Sequence, residues 1–535
     1  MLKTITQKLT AFDAENRLRY LTRQAFKLRL PRDIAPVLFF NASSRLGEIS
    51  QNAAFTLLSA LGLQTAGVPV VYFACERGLS QCVLGTRWDA PEQKPPCNTC
   101  TRRSRSLFAH APVLPLHYEE DAALAARLAP LGLRDLMGFR LPLPGFRESL
   151  PLGSLATPSL RWSLRMHTLP DDATSRSLMQ RYMLSAANLA QRFDVVLQQV
   201  QPQAVWLFNG MMFPEATARW VAQQRGVRTI TQEVGFQPFS TFVTDGEATA
   251  YPLALPDDFT LTAEQNARLD AYLEQRFQGK FTMAGIRFWK EMLPLDDLLL
   301  TKMAAFDAMV PVFTNVIYDT SQVHANRIFN DMFHWLETIV ELITAHPRTL
   351  FVVRAHPDEV RPNSRKQSRE TVQNFLAQRG LLGRENVVFI DSQTFVSSYA
   401  LIGRSKFVMV YNSSIGLEAT LLGAPVLCGG KARFTQIPTV FLPNSPAEYR
   451  RMADEFLQVQ GIQTPPEFIE NARKFLYAQL YRASLPYDAF LEAADRPGMV
   501  RLKPFDLQAL APENCAATRA LVDGLLQGKP FWVEA

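Results

Sequence analysis

The chain has 535 residues, of which 47% are hydrophobic and 20% charged. This composition excludes a disordered or fibrous protein, and the length predicts two or three domains, each able to bury its own core. The formal net charge of +6 suits phosphate-bearing ligands or an anionic membrane face, but it is too small to predict a nucleic-acid partner.

The first thirty residues mix basic and apolar side chains in a helical pattern. No apolar run approaches the roughly 20 residues that cross a bilayer, and the N-terminus lacks the apolar core of a signal peptide. We therefore expect a cytoplasmic protein. The basic residues could also touch the inner membrane, although a solvated helix is the commoner interpretation. They are Lys3, Lys8, Arg17, Arg19, Arg23, Lys27 and Arg29.

Strands and helices alternate through the first half of the chain. An apolar strand at residues 37–40 precedes a polar turn, an amphipathic helix closed at Gly67 and a second strand, and a similar pattern surrounds Asn209. Such alternation predicts a parallel sheet covered on both faces. We expect an N-terminal helical segment at residues 1–33 and a Rossmann-like domain at residues 34–244.

A second set of apolar strands begins near residue 309. Four strands, each ending in a polar residue, predict a second parallel sheet within residues 306–490. Residues 245–305 are then a helical connector, and residues 491–535 a tail that packs back on the first domain. The predicted fold class is α/β, with two doubly wound Rossmann-like domains facing each other across a cleft.

One strand of the second set, TLFVV, runs directly into Arg354, His356, Pro357 and Asp358. Ligands of open α/β sheets bind beyond the carboxyl ends of the strands, so these side chains can meet an anionic ligand. A proline-stabilised turn with an ordinary surface arginine explains the same residues equally well.

The next motif, YNSSIGLEA, follows another apolar strand. Ser413 and Ser414 can cap the free amides of the helix that begins there, and Gly416 allows a ligand close to the backbone, so a phosphate can bind. Glu418 can favour the helix dipole or accept hydrogen bonds from ribose hydroxyls. A capped helix between two buried strands is the structural alternative.

Taken together, RAHP and YNSSIGLEATLLGAPVLCGG resemble the second domain of bacterial capsule polysaccharide synthesis proteins. Those proteins look like glycosyltransferases of the two-Rossmann (GT-B) type, and bacterial sialyltransferases and Kdo transferases share the His-Pro and Ser-rich pair. The resemblance covers residues 309–435 and implies a nucleotide-sugar donor. The predicted donor site comprises Arg354, His356, Pro357, Asn412, Ser413, Ser414, Gly416 and Glu418.

The first half contains QEVGF, which resembles the acidic turn that supplies a general base in such proteins. The commoner pattern has His after the Glu, whereas Val234 stands here. An inverting transfer needs a carboxylate to take the proton from the acceptor hydroxyl, so Glu233 is the predicted catalytic base. His356 is the second predicted catalytic residue, because it can assist departure of the phosphate. A buried acid that only stabilises a loop fits the spacing equally well.

Polar residues after two strands of the first half are candidates for the acceptor side of the cleft. They can equally be turn residues. They are Asn41, Ser43, Ser44, Arg45 and Asn209.

Metal ions enter the predictions in two separate ways. No Asp-x-Asp pair follows a strand, and helix amides with His356 and Arg354 can assist departure of the phosphate, so we predict transfer without a metal or other cofactor.

A structural zinc site can be closed by four clustered cysteines, Cys75, Cys82, Cys97 and Cys100. Buried free thiols are the alternative, since only the last pair has standard ligand spacing.

The predicted function is transfer of a sugar from a nucleotide-sugar donor to a surface or capsular glycan, or to a lipid-linked acceptor. Two alternatives share the fold: a non-hydrolysing nucleotide-sugar 2-epimerase, and a non-catalytic subunit of glycan assembly. Because fold alone does not establish activity, the site has to decide between them.

Overall fold

A computed structural model describes residues 16–31, 33–43, 49–279, 292–361, 367–496 and 498–534. The strands are β1 (Val37–Asn41), β2 (Ile49–Ser50), β3 (Val70–Cys75), β4 (Val113–Leu116), β5 (Ala204–Phe208), β6 (Arg228–Val234), β7 (Ser240–Thr244), β8 (Ala308–Phe313), β9 (Thr349–Arg354), β10 (Val387–Ile390), β11 (Val408–Val410), β12 (Val426–Cys428), β13 (Leu485–Pro486), β14 (Leu491–Ala493) and β15 (Met499–Leu502). The helices are α1 (16–25), α2 (Gln51–Thr65), α3 (Cys97–Leu107), α4 (Ala122–Leu128), α5 (Leu133–Gly138), α6 (Leu152–Leu164), α7 (Ala173–Val200), α8 (Phe213–Gln224), α9 (Ala263–Phe277), α10 (Asp297–Ala304), α11 (Gln322–Ala325), α12 (Met332–Ala345), α13 (Val372–Gln378), α14 (Ser398–Ile402), α15 (Ile415–Leu421), α16 (Pro446–Gln458), α17 (Pro466–Tyr477) and α18 (Ala516–Gln527).

The first sheet has the strand order β13-β7-β6-β5-β1-β3-β4. The five strands from β6 to β4 are parallel, whereas β7 and β13 run antiparallel to their neighbours. If the five parallel strands are numbered by their order along the chain, their order across the sheet from β6 to β4 is 5-4-1-2-3. The direction of winding therefore reverses between β1 and β5. Their carboxyl ends, at Asn41 and Phe208, flank this topological switch, where such sheets bind ligands.

The second sheet has the order β10-β9-β8-β11-β12, and all its strands are parallel. Its winding reverses between β8 and β11, in the same pattern as the first sheet. Strand β9 is buried along its whole length, as expected for a central strand covered by helices on both faces. The prediction of two doubly wound Rossmann-like domains is confirmed.

The last fifty residues return to the first sheet. Strand β13 pairs with β7, β14 and β15 form a small antiparallel sheet with β2, and α18 packs on α2. The α2–α18 contact is close, because a Cβ on Gly62 would lie 2.4 Å from the hydroxyl oxygen of Thr518. The return begins at Leu485, inside the range 306–490 expected for the second domain.

Helix α1 packs on the first core through Leu18, Leu21 and Ala25, while Arg19 and Arg23 are exposed. Lys3 and Lys8 lie outside the described residues. Within the described ranges, no helix is both long enough and apolar enough to span a membrane.

Candidate active site

The two halves enclose a cleft of about 590 Å³ at the carboxyl ends of both parallel sheets. Both topological switches open into it. Asn41 and Asn209 come from the first sheet, and Asn315 and Asn412 come from the second. This arrangement matches the position at which open α/β sheets bind ligands.

His356 lines the cleft just after β9 and is half-buried. The backbone N–H of Asp358 donates to its Nδ1 at 3.1 Å, so Nδ1 is an acceptor and Nε2 carries the proton of the neutral ring. Burial lowers the pKa of His356, which favours that neutral form. His356 therefore offers one N–H donor to a ligand in the cleft.

Ser413 and Ser414 also line the cleft, at the start of α15. Ser414 stands at the N-cap position, but its side chain makes no capping hydrogen bond, so the predicted capping role is wrong for it. Asn412 is held by the Nδ2 group of Asn315, which donates to its Oδ1 at 2.7 Å. This side-chain bond joins the polar residues that follow β8 and β11.

Three residues of the predicted donor site, Arg354, Pro357 and Glu418, line a separate cavity of about 100 Å³ instead of the main cleft. His356, Ser413 and Ser414 line both spaces. Arg354 donates to the carbonyl oxygen of Val396, and burial lowers its pKa to about 10.

Glu418 is engaged by side chains of distant segments. Its carboxylate forms an ion pair with Arg276 of α9 at 2.7 Å and accepts a 2.5 Å hydrogen bond from the Tyr399 hydroxyl. Arg276 and Glu418 are almost fully buried. In this arrangement Glu418 joins α15 to α9.

Gly416 lies outside both cavities. A Cβ at this position would lie 2.9 Å from the Phe434 ring and 3.0 Å from Val410. Close packing therefore accounts for the glycine, and its role in admitting a ligand stays a prediction.

Glu233 enters the cleft from β6, on the half opposite His356. Its carboxylate accepts the Val234 N–H at 2.9 Å, the Asn209 amide at 3.3 Å and the Asn52 amide at 3.4 Å. Burial raises the pKa of Glu233, and the nearby carboxylate of Asp319 raises it further. The carboxylate is thus oriented by three donors, and its basicity is increased.

The predicted acceptor residues Asn41, Ser43 and Asn209 all line the cleft. The Nδ2 atom of Asn41 is buried and has no hydrogen-bond partner in the described part of the chain, so it is available to a ligand. Asn209 adopts a left-handed backbone conformation, with φ of 39°. Ser44 and Arg45 lie outside the described residues.

Sequence reasoning missed several charged or polar residues of the cleft. Asp319 follows β8, and Lys431 and Arg433 follow β12. The rule that polar residues after strands face the ligand, which identified His356, would have found them if applied to these two strands.

The four clustered cysteines are free thiols. Burial raises the pKa of Cys75 and Cys82 to about 12, and backbone N–H groups donate to both sulfur atoms. In the ranges that the structure describes, no three His, Cys, Asp or Glu side chains are placed to hold one metal ion. The arrangement of the thiols thus does not match the predicted zinc site.

Residues 299–446 match the family model of capsule polysaccharide biosynthesis proteins. This segment contains both His356-Pro357 and Ser413-Ser414, so the resemblance read from these motifs is confirmed. No curated protein matches the chain at a significant level.

Several solved structures are similar to the chain at low identity. The KpsC beta-Kdo 2,4 transferase of Thermosulfurimonas dismutans is 16% identical over 53% of this chain and 80% of that one, with a TM-score of 0.33. A UDP-GlcNAc 2-epimerase from Neisseria meningitidis, bound to UDP-GlcNAc, is 14% identical over 83% and 98%, with a TM-score of 0.26. Sucrose-phosphate synthase from Thermosynechococcus elongatus is 12% identical over 83% and 95%, with a TM-score of 0.29. Because these TM-scores are below 0.5, the fold assignment rests on the two sheet topologies themselves.

Proposed function

We propose that this protein, whose residues 299–446 carry the pattern of capsule polysaccharide biosynthesis proteins, is a glycosyltransferase. It would move a sugar from a nucleotide-sugar donor to a surface or capsular glycan, or to a lipid-linked acceptor. One observation carries the proposal: His356 and Ser413 of the second half share a single cleft with Glu233 of the first half. Side chains that can donate to a phosphate and a candidate base thus lie on opposite walls.

The donor phosphate is proposed to bind to the second half. The Nε2–H of His356 and the hydroxyls of Ser413 and Ser414 supply donors that suit phosphate oxygens. These donors stabilise the charge that develops on the phosphate when its bond to the sugar breaks.

The acceptor hydroxyl is proposed to bind beside Glu233, near Asn41 and Asn209. Its oxygen attacks the anomeric carbon, the bond from that carbon to the phosphate oxygen breaks, and the phosphate leaves with the electron pair. Glu233 takes the proton of the attacking hydroxyl. This single displacement inverts the anomeric configuration, which the stereochemistry of the product tests directly.

Departure of the phosphate is proposed to need no metal ion, because the donors on the second half neutralise the developing charge. Transfer is therefore expected to continue at full rate in excess chelator. Loss of transfer in chelator, with recovery on adding Mg²⁺, would contradict this part of the proposal.

Nucleotide release is the measurement that tests the proposed function. UDP-, CMP- and GDP-sugars are incubated with the protein, with and without a glycan acceptor. Acceptor-dependent release is the expected result. Interconversion of the sugar nucleotide would show an epimerase instead, and neither reaction would show a binding subunit.

A cytoplasmic location, with peripheral contact at the inner membrane, completes the proposal. The exposed side chains of Arg19 and Arg23 on α1 would contribute to that contact through anionic lipid headgroups. Sedimentation with anionic and with neutral vesicles tests it, and equal binding to both, or to neither, would contradict it.

A further inference from the structure

Two cations line the cleft from the loop that follows β12, and the backbone of this loop is tightly held. The N–H of Gly430 donates to the carbonyl oxygen of Tyr411 at 2.7 Å. A Cβ on Gly429 would lie 2.4 Å from the Trp335 ring, and one on Gly430 would lie 3.1 Å from the Tyr411 carbonyl oxygen. Glycine at both positions thus lets the loop pack closely, and this packing fixes the backbone position of Lys431.

The second cation, Arg433, is held by aromatic rings that follow β6 and β7. Its guanidinium lies 4.2 Å from the ring centre of Tyr251 and 4.8 Å from that of Phe236. The hydroxyl of Tyr251 donates at 2.8 Å to the carbonyl oxygen of Val234, the residue after Glu233. Arg433 is thereby held on the wall that carries the candidate base.

Neither cation is neutralised by an ion pair. Among the residues that the structure describes, no carboxylate oxygen lies within 4.0 Å of the charged nitrogens of Lys431 or Arg433. Asp358, another charged residue of the cleft, by contrast pairs with Arg361. Two unpaired cations in one cleft favour an anionic group of the ligand.

The donors proposed for the first phosphate lie after other strands. The donors for that phosphate, His356 and the serines, follow β9 and β11, whereas Lys431 and Arg433 follow β12. Donors after three different strands offer contacts to a ligand with more than one anionic group.

We propose that Lys431 and Arg433 form a second anion subsite of the donor cleft, which binds a second anionic group of the donor. That group is either the outer phosphate of a nucleoside diphosphate sugar or the carboxylate of an acidic sugar linked to a nucleoside monophosphate. The inference rests on the proposed function, since it assumes that a nucleotide sugar occupies the cleft.

Nucleotide binding to the full-length protein tests the subsite, with calorimetry of matched probes. The probes with one anionic group are UMP and CMP, and those with two are UDP, CDP and CMP-N-acetylneuraminic acid. Lys431→Gln and Arg433→Gln are expected to weaken binding of the two-anion probes about 10- to 100-fold and of the monophosphates less than about 3-fold. Weaker binding of UDP and CDP identifies the second group as a phosphate. Weaker binding of CMP-N-acetylneuraminic acid identifies it as a carboxylate.

Two further variants make the result specific. Lys431→Arg keeps the charge and is expected to bind within about 3-fold of the parent. Arg348→Gln removes an exposed charge in the same half, outside the cleft, and is expected to change nothing.

Only the inference fails, and the proposed function stands, if the parent binds nucleotides but the Gln substitutions weaken binding of all probes equally or of none. If the parent binds no nucleotide, both the inference and the proposed function are overturned.

Discussion

The backbone N–H of Asp358 donates to Nδ1 of His356 at 3.1 Å, and this bond determines that the ring presents its Nε2–H to the cleft. His356→Ala removes that donor and is expected to weaken UDP or CMP binding about 10- to 100-fold. His356→Gln places an amide N–H near the Nε2 position and should lose less. Calorimetry measures both, and unchanged affinity in the Ala variant would mean that the phosphate binds elsewhere.

Glu233→Gln tests the base separately from donor binding. The amide keeps the size of the side chain but cannot accept a proton, so the rate of transfer is expected to fall about 10²- to 10⁴-fold. Donor affinity should stay within about 3-fold, because Glu233 lies on the opposite half. Steady-state kinetics with a separate binding measurement distinguishes the two effects. If the variant keeps its turnover, Glu233 is not the catalytic base.

The Arg276–Glu418 pair tests whether Glu418 is structural. Glu418→Ala removes the carboxylate that pairs with the buried Arg276 guanidinium and is expected to lower the free energy of unfolding by about 3–5 kcal/mol. The double variant Arg276→Met with Glu418→Ala should recover part of that loss. Denaturant unfolding measures both. A ribose contact predicts instead that Glu418→Gln selectively weakens ribonucleotides relative to 2′-deoxynucleotides.

Glu359 should make stability depend on pH. Burial raises its pKa to about 7 from an ordinary value of 4.5, while the Val372 N–H donates to its carboxylate at 2.9 Å. Between these two pH values the Glu359 carboxyl is ionised in the unfolded chain and protonated in the folded chain. The contribution of Glu359 to the free energy of unfolding therefore falls as pH rises and levels off above about pH 7.

Glu359→Gln removes this ionisation and keeps an oxygen acceptor for Val372. We expect the variant to match the parent near pH 4 and to exceed it at pH 8 by at most about 3 kcal/mol. Unfolding at both pH values measures the difference, with the exposed Glu385→Gln as control. A variant that loses stability equally at both would contradict the account.

Both sheets could be predicted from sequence because their strands are short apolar runs separated by helices. Such runs, buried on both faces, fit only a covered parallel sheet. The strand ends then place His356, Ser413, Glu233 and Asn209 at one cleft, since carboxyl ends of parallel strands lie on the same edge.

The remaining features depend on contacts that no local pattern encodes. Glu418 meets Arg276, which is 142 positions away, so its burial could not be read from the helix that contains it. Gly416 faces Phe434 in a similar way. The spacing of the cysteines sets where they lie along the chain, but not whether their sulfur atoms converge.

A crystal structure of the protein with bound UDP or CMP tests the central claim most directly. The account predicts a phosphate oxygen within hydrogen-bonding distance, about 3 Å, of His356 Nε2 and of the Ser413 or Ser414 hydroxyl. The side of the phosphate that carries the sugar in the donor should face Glu233. A nucleotide bound outside this cleft, or a phosphate without contact to His356 and the serines, would contradict it.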